Sequence, residues 1–152
     1  MKYLLDTNVY LTASGSEETK KEFRKSIFPL LPVTYLSAVV AYELSVDARD
    51  RRTAELLREF IYPMQRAGRV ISPTFEDWVE AARVVTAIHD RERSWRSKLP
   101  ALQNDVLIAL TARRIGAMLL TFKRDDFRLI RHHTDFFLRI LGVEKHSGFS
   151  SS

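Results

Sequence analysis

Ala101-Leu102-Gln103-Asn104-Asp105-Val106-Leu107-Ile108-Ala109-Leu110 opens a run that continues to Ile115, meets Gly116, and resumes as Ala117-Met118-Leu119-Leu120-Thr121. Pro100 pre-sets the backbone for a first helical turn. Apolar residues then recur at helical spacing, and a glycine directly after Ile115 most easily takes the left-handed turn that ends a helix. The run after it is short, apolar and uninterrupted, the pattern of a strand buried on both faces. A helix feeding through one glycine into such a strand predicts a parallel sheet covered by helices.

Outward from this stretch the same alternation repeats. Lys2-Tyr3-Leu4-Leu5 reads as a buried strand that runs at once into the polar turn Asp6-Thr7-Asn8. Ser16-Glu17-Glu18-Thr19 starts a helix predicted from about Ser16 to Phe28, which Pro29 and Pro32 stop. Val33-Thr34-Tyr35-Leu36 is a second strand, and Ser37 caps a helix carrying Val39, Val40 and Leu44. Helical pattern resumes at Leu56, Leu57 and Phe60, where Pro63 is expected to break it, and Gly68 to Pro73 holds a third strand. Thr74 caps a further helix with Trp78, Ala81, Ala82, Val85 and Ile88 on one face. Strands alternating with helices predict an α/β chain, a three-layer α/β/α domain with a short, mostly parallel central sheet. That domain is placed at residues 1–145. Residues 146–152, from His146 through Ser147 and Gly148 to the closing serines, read as a polar, disordered tail.

The 152 residues are 45% hydrophobic and 28% charged, enough for one core that removes about 70% of the unfolded chain's surface from water. With no cysteine, disulfides, thiolate zinc sites, iron–sulfur clusters and cysteine nucleophiles are excluded, and the expected compartment is the reducing cytoplasm. No apolar run approaches the ~20 residues of a membrane span, and Leu5 meets Asp6 before any signal-peptide core develops. Lys and Arg total 24 against 19 Asp and Glu, a formal charge of +5 that favours a polyanionic partner without requiring one. His89, His132, His133 and His146 show no zinc-protease spacing, and no glycine-rich phosphate loop is present.

Three acids stand where apolar residues are expected. Asp6 follows a buried strand at its carboxyl end, where open parallel sheets place their chemistry. Glu43 shares the three- and four-residue spacings with Val39, Val40 and Val46, and Asp105 shares them with Ala101, Leu102, Ile108 and Ala109. A turn or helix cap explains Asp6 alone, and backbone hydrogen bonds explain Asp105 alone. Buried together without a lysine or arginine in the same stripes, the three are most economically explained by a shared divalent cation, Mg²⁺ or Mn²⁺, held by oxygen ligands.

Leu4-Leu5-Asp6-Thr7-Asn8-Val9, Ser37 with Glu43-Leu44, and Asn104 to Ala109 followed by Ala117 to Phe127 together resemble the PIN-domain ribonucleases, the VapC-type toxins in particular. The resemblance spans roughly residues 2 to 130. It implies metal-dependent RNA hydrolysis, a homodimer and neutralisation by a cognate VapB-type antitoxin. It also implies that Asp6 and Asp105 are metal ligands and that Glu43 completes the acidic centre, with Asp126 catalytic beside them. Thr7, Asn8 and Thr121 are expected to orient these groups. The family's last motif reads here Thr121-Phe122-Lys123-Arg124-Asp125-Asp126-Phe127, with Lys123 in the slot that often holds another polar or acidic group. An ammonium cannot ligate a cation, so a second metal site is not expected unless Asp125 or Asp126 turns inward. RNA contact is assigned to Lys123, Arg124, Arg96 and Lys98, with Trp95 a stacking surface and Arg113 and Arg114 among further basic residues. Two other readings compete. One is a catalytically inactive RNA- or protein-binding module of the same fold. The other is an aspartyl-phosphate phosphatase of the haloacid-dehalogenase type, which needs an acid where Asn8 stands.

Overall fold

The computed structural model describes residues 1–142, so the expected tail at 146–152 lies outside the described residues. Five parallel strands, β1 (Tyr3–Leu5), β2 (Thr34–Ser37), β3 (Val70–Ile71), β4 (Met118–Thr121) and β5 (Phe137–Ile140), form one sheet in the order β3-β2-β1-β4-β5. β1 is central: Leu4 is paired with Tyr35 on one side and Leu119 on the other, and Leu5 lies opposite Leu120. Leu4, Leu5, Leu36, Leu119 and Leu120 are buried, as strands covered on both faces require.

Among the described residues, eight α-helices connect the strands: α1 (Thr7–Leu11), α2 (Glu17–Glu22), α3 (Ala38–Val46), α4 (Arg51–Leu56), α5 (Tyr62–Arg66), α6 (Phe75–Arg91), α7 (Leu99–Ile115) and α8 (Arg124–Arg131). With this strand order, the general right-handed rule for parallel crossovers assigns α1 to α5 to one face and α6 to α8 to the other, and the chain is a three-layer α/β/α domain. α1 touches α3 and α4 on its side, and α7 touches α6 and α8 on its own.

Local chemistry sets most boundaries. Ser37 accepts hydrogen bonds from the Val39 and Val40 amides to start α3, and Thr74 with Asp77 forms a capping box at α6. Gly116, at φ 69°, closes α7 in the left-handed conformation that any side chain would strain. Asp77 does more than cap. Arg114 at the far end of α7 donates to its Oδ2 at 3.0 Å and to the Ser72 carbonyl at 2.7 Å, tying the two long helices together.

Several expectations need correction. The helix from Ser16 widens after Glu22 into a π-turn, Phe23–Ile27, and a second π-turn, Leu57–Ile61, precedes Pro63. Pro63 therefore opens α5 rather than ending a helix. Phe23 and Phe60 on the two π-turns pack edge-on with centroids 5.4 Å apart, so the extra residue in each turn serves a core contact. The α6 face that goes inward is Ala81, Val84 and Ile88, while Trp78 and Ala82 are exposed. On α3 the buried pair is Val40 and Leu44, with Val46 exposed, so Glu43 sits half-buried on the shoulder of the stripe. α1 and β5 were not expected at all.

Asp77→Ala removes an acceptor of the α6 capping box and strands Arg114. It is expected to lower unfolding free energy by about 2 kcal/mol, with a fall in Tm of roughly 4 to 8 °C, both read from urea and thermal denaturation.

Candidate active site

Strand order reverses between β1 and β4, and the crevice at their carboxyl ends is where an open parallel sheet accepts a ligand. The register that sets Leu5 against Leu120 brings the next residues, Asp6 and Thr121, side by side. Asp6 is fully buried. Its Oδ1 accepts the Thr7 amide at 2.8 Å, which caps α1, and its Oδ2 accepts the Thr121 hydroxyl at 2.7 Å. Thr121 Oγ1 accepts in turn from the Lys123 amide at 2.9 Å and from Asn8 Nδ2 at 3.5 Å, while Asn8 Oδ1 accepts the Phe122 amide at 3.3 Å. These bonds weld the turn after β1 to the turn after β4.

The other acids arrive from helices. Glu43 on α3 is held at both oxygens, accepting from the Thr7 hydroxyl and, at 3.1 Å, from Asn104 Nδ2 on α7. Asp105, one residue along α7, is 1% exposed and takes a different partner. Lys123 Nζ lies 3.1 Å from its Oδ1 and 3.4 Å from its Oδ2, an ion pair in which the lysine side chain is 40% exposed. The cation that the α3 and α7 stripes lack is supplied by another element.

Burial pushes the Asp105 carboxyl up to about 7, against the pull of the Lys123 ammonium, and the Asp6 and Asp126 charges add to the rise. Burial also raises Asp6, opposed by the Thr121 hydrogen bond and by Lys123. For Lys123, burial alone works against the charged form, but Asp105, Asp6 and Glu43 together outweigh it and hold the ammonium protonated. An open cleft of about 340 Å³ adjoins the group, lined by the polar side chains of Thr7, Asn8, Glu43, Asp47 and Lys123 and the apolar ones of Leu11, Tyr42 and Val46.

Asp6, Thr7, Asn8, Glu43, Asp105, Thr121 and Lys123 thus meet in one connected cluster. Asp126, half-buried in the first turn of α8, joins it only through its field on Asp105. Neither Asp125 nor Asp126 caps α8, since Lys123 occupies that position without a side-chain cap bond. Arg124 pairs with Asp125 at 3.2 Å. Arg96 donates to the His89 carbonyl at 2.9 Å, and Lys98 lies 4.9 Å above the half-buried Trp95 ring, both in the 3-10 segment Arg93–Lys98. Among the described residues, no hydrogen bond or ion pair joins Arg96 or Lys98 to the acidic cluster. Arg113 and Arg114 are spent on structure, donating to Thr134 and to Asp77. The sequence patterning assigns Asn104 no role of its own; its signal is its place beside Asp105, one helical step round from the apolar stripe.

The sequence model of the PIN domain matches residues 3–132. The chain belongs to the PIN-domain family. No curated protein matches it significantly. Solved structures with the same fold include FitAcB from Neisseria gonorrhoeae, 22% identical over 90% of this chain and 95% of the other, at a TM-score of 0.59. VapBC2 from Rickettsia felis, bound to a DNA fragment from its promoter, is 17% identical over 92% and 98%, at a TM-score of 0.58. DNA-bound VapBC from Salmonella typhimurium is 15% identical over 92% and 98%, at a TM-score of 0.60. No helix among the described residues of this PIN domain is long and apolar enough to cross a membrane.

PIN-domain nucleases generally depend on a divalent metal, and the side chains here fit one. The acidic donors are all oxygen, as a hard cation prefers, and among the described residues the Asp105 carboxylate already holds a positive charge, the Lys123 ammonium, as its side-chain hydrogen-bond partner. Among the described residues no three acidic or histidine side chains close into a ready-made cage; Glu43 is bonded to Thr7 and Asn104.

The Asp105 shift has a defined sign. A carboxyl whose folded pKa lies near 7 and whose unfolded value is 3.8 stabilises the fold below the lower value and loses that contribution as pH rises through the upper one. In EDTA, the PIN domain is expected to lose stability between about pH 4 and pH 7. Asp105→Asn should flatten that slope and melt higher than the wild type at pH 8, as read from Tm against pH.

Proposed function

We propose that this PIN domain is a divalent-metal-dependent endoribonuclease, the VapC-type toxin of a toxin–antitoxin pair, hydrolysing phosphodiester bonds in RNA. The observation that carries this reading is the pair of buried carboxylates, Asp6 and Asp105, at the sheet's switch point, each bonded to a residue, Thr7 or Lys123, that lines an open cleft. Asp6 and Asp105 would hold Mg²⁺ or Mn²⁺. When bound, such an ion lowers the pKa of a water and offsets charge on the phosphate in the transition state.

The chain's own groups do the rest by position. Thr7 and Thr121 fix both oxygens of Asp6 in one orientation, which leaves their remaining lone pairs aimed by the protein rather than by solvent. Glu43, clamped by Thr7 and Asn104 at the edge of the cleft, is held where it can orient a water or accept its proton. Asp126 adds negative potential behind Asp105. Asn8 is spent on joining the two turns, which leaves the phosphatase reading without its second acid. Lys123, Arg124, Arg96 and Lys98 are the proposed phosphate contacts.

The toxin assignment rests on the resemblance of the motifs and is supported by the shared fold with VapBC assemblies. A VapB-type antitoxin and a second copy of the chain are the proposed protein partners, and the cytoplasm the proposed compartment. The inactive-module reading is favoured by one observation, the Lys123 ammonium that already sits against Asp105.

Purified protein is expected to cut end-labelled total tRNA, or a structured RNA, in Mn²⁺ and not in EDTA. Asp6→Asn and Asp105→Asn should each slow cleavage by at least about 10³-fold, the loss of several kcal/mol of transition-state stabilisation. Cleavage indifferent to EDTA and to both substitutions would sink the reading. Manganese binding without cleavage of either RNA would direct the search to a more selective substrate. Induced expression should arrest growth, relieved by Asp6→Asn, and this arm separates a toxin from a housekeeping nuclease.

A further inference from the structure

Lys123 is anchored at its backbone and reaches Asp105 through its side chain. Its amide is held by Thr121 Oγ1, and its four-carbon stem carries the ammonium to both oxygens of Asp105. Asp105 is buried and does not line the cleft, whereas Lys123 does, so the ammonium stands between that carboxylate and the solvent. A divalent ion seated on the same oxygen at about 2.1 Å would lie within roughly 5 Å of Nζ, and two cations that close repel strongly in a partly buried site.

We infer that Lys123 is a tethered competitor for the divalent cation: its ammonium takes the cation's place at Asp105 in the metal-free protein and must swing into the cleft before a metal can bind. The inference rests on the metal-nuclease reading above. It makes Lys123 a positioning residue that sets the metal affinity of the site. Tethering matters because an attached ammonium pays no translational entropy to return, so it competes at an effective concentration far above that of free ions. Once displaced, the same ammonium remains at the cleft, facing whatever phosphate lies there. The metal-free protein keeps a counter-ion for Asp105, and loading becomes a charge exchange.

The test is titration of the full chain with Mn²⁺ alone, by calorimetry and by the Mn²⁺-induced change in Tm. Lys123→Met keeps the stem and removes the charge, Lys123→Asn removes both, and Lys123→Arg keeps the charge. Lys123→Met and Lys123→Asn are expected to bind Mn²⁺ at least about tenfold more tightly than the wild type, whereas Lys123→Arg stays near it. Their metal-free Tm should fall while the Tm gain on adding Mn²⁺ grows, a crossing that a purely structural lysine would not produce. Equal Mn²⁺ affinity in the wild type, Lys123→Met and Lys123→Asn, with folds intact by circular dichroism, would overturn this inference and leave the metal-nuclease reading standing. If neither the wild type nor either charge-removing variant bound Mn²⁺, both would fall.

Discussion

The carboxylates of Asp6 and Asp105 are shut away from water, and the cost of holding charge there governs the arrangement around them. An ionised carboxylate taken into a protein interior loses several kcal/mol of hydration even after relaxation, so each needs donors that the surrounding elements must deliver. Asp6 receives an amide from its own helix start and a hydroxyl from the neighbouring strand. Asp105 receives an ammonium from the turn after β4. Every donor but the Thr7 amide comes from a different element, so the site exists only when β1, β4 and α7 are in register together. A slip of one residue between β1 and β4 would turn Thr121 to the opposite face and leave Asp6 Oδ2 bare.

Topology explains why the donors can converge. At the point where strand order reverses, the connections leaving β1 and β4 diverge to opposite faces and open a crevice between them. The turns there are short. Asp6 is at once the end of β1 and the cap of α1, and Lys123 stands two residues beyond the end of β4 and directly before α8. Positions so close to strand ends inherit the rigidity of the sheet, which suits groups that must be held within a fraction of an ångström of a working geometry.

What was legible in the sequence follows the reach of periodicity. β1, α7, Gly116 and β4 are strong local signals, and the parallel three-layer arrangement follows from their alternation. β5 escaped because Phe137-Leu138-Arg139-Ile140 is an edge strand whose residues alternate between exposed and half-buried, without an apolar run. α1 escaped because its cap is Asp6, and a short polar start after a strand looks the same as a turn. Asp6 and Asp105 stand out as acids in apolar surroundings. Glu43 drew notice through a stripe that α3 does not bury, since Val40 and Leu44 go inward and Val46 does not. The partner of Asp105 was beyond that kind of reading, because Lys123 lies on another element and spacing along one helix says nothing about it.

The charge balance of the cluster argues against treating Lys123 as a finished solution. Asp6, Glu43 and Asp105 face a single ammonium, so with all four ionised the group keeps two uncompensated negative charges. Burial, with a smaller push from the Asp6 and Asp126 charges, drives Asp105 toward the neutral acid, its carboxyl raised to about 7 in spite of the lysine beside it. The Lys123 ammonium offsets only part of what burial costs the charged carboxylate. The cluster is therefore poised between protonation and the arrival of more positive charge. A second lysine would have met that need permanently; an open cleft above a tethered one leaves it to be met reversibly, by something that can enter and leave.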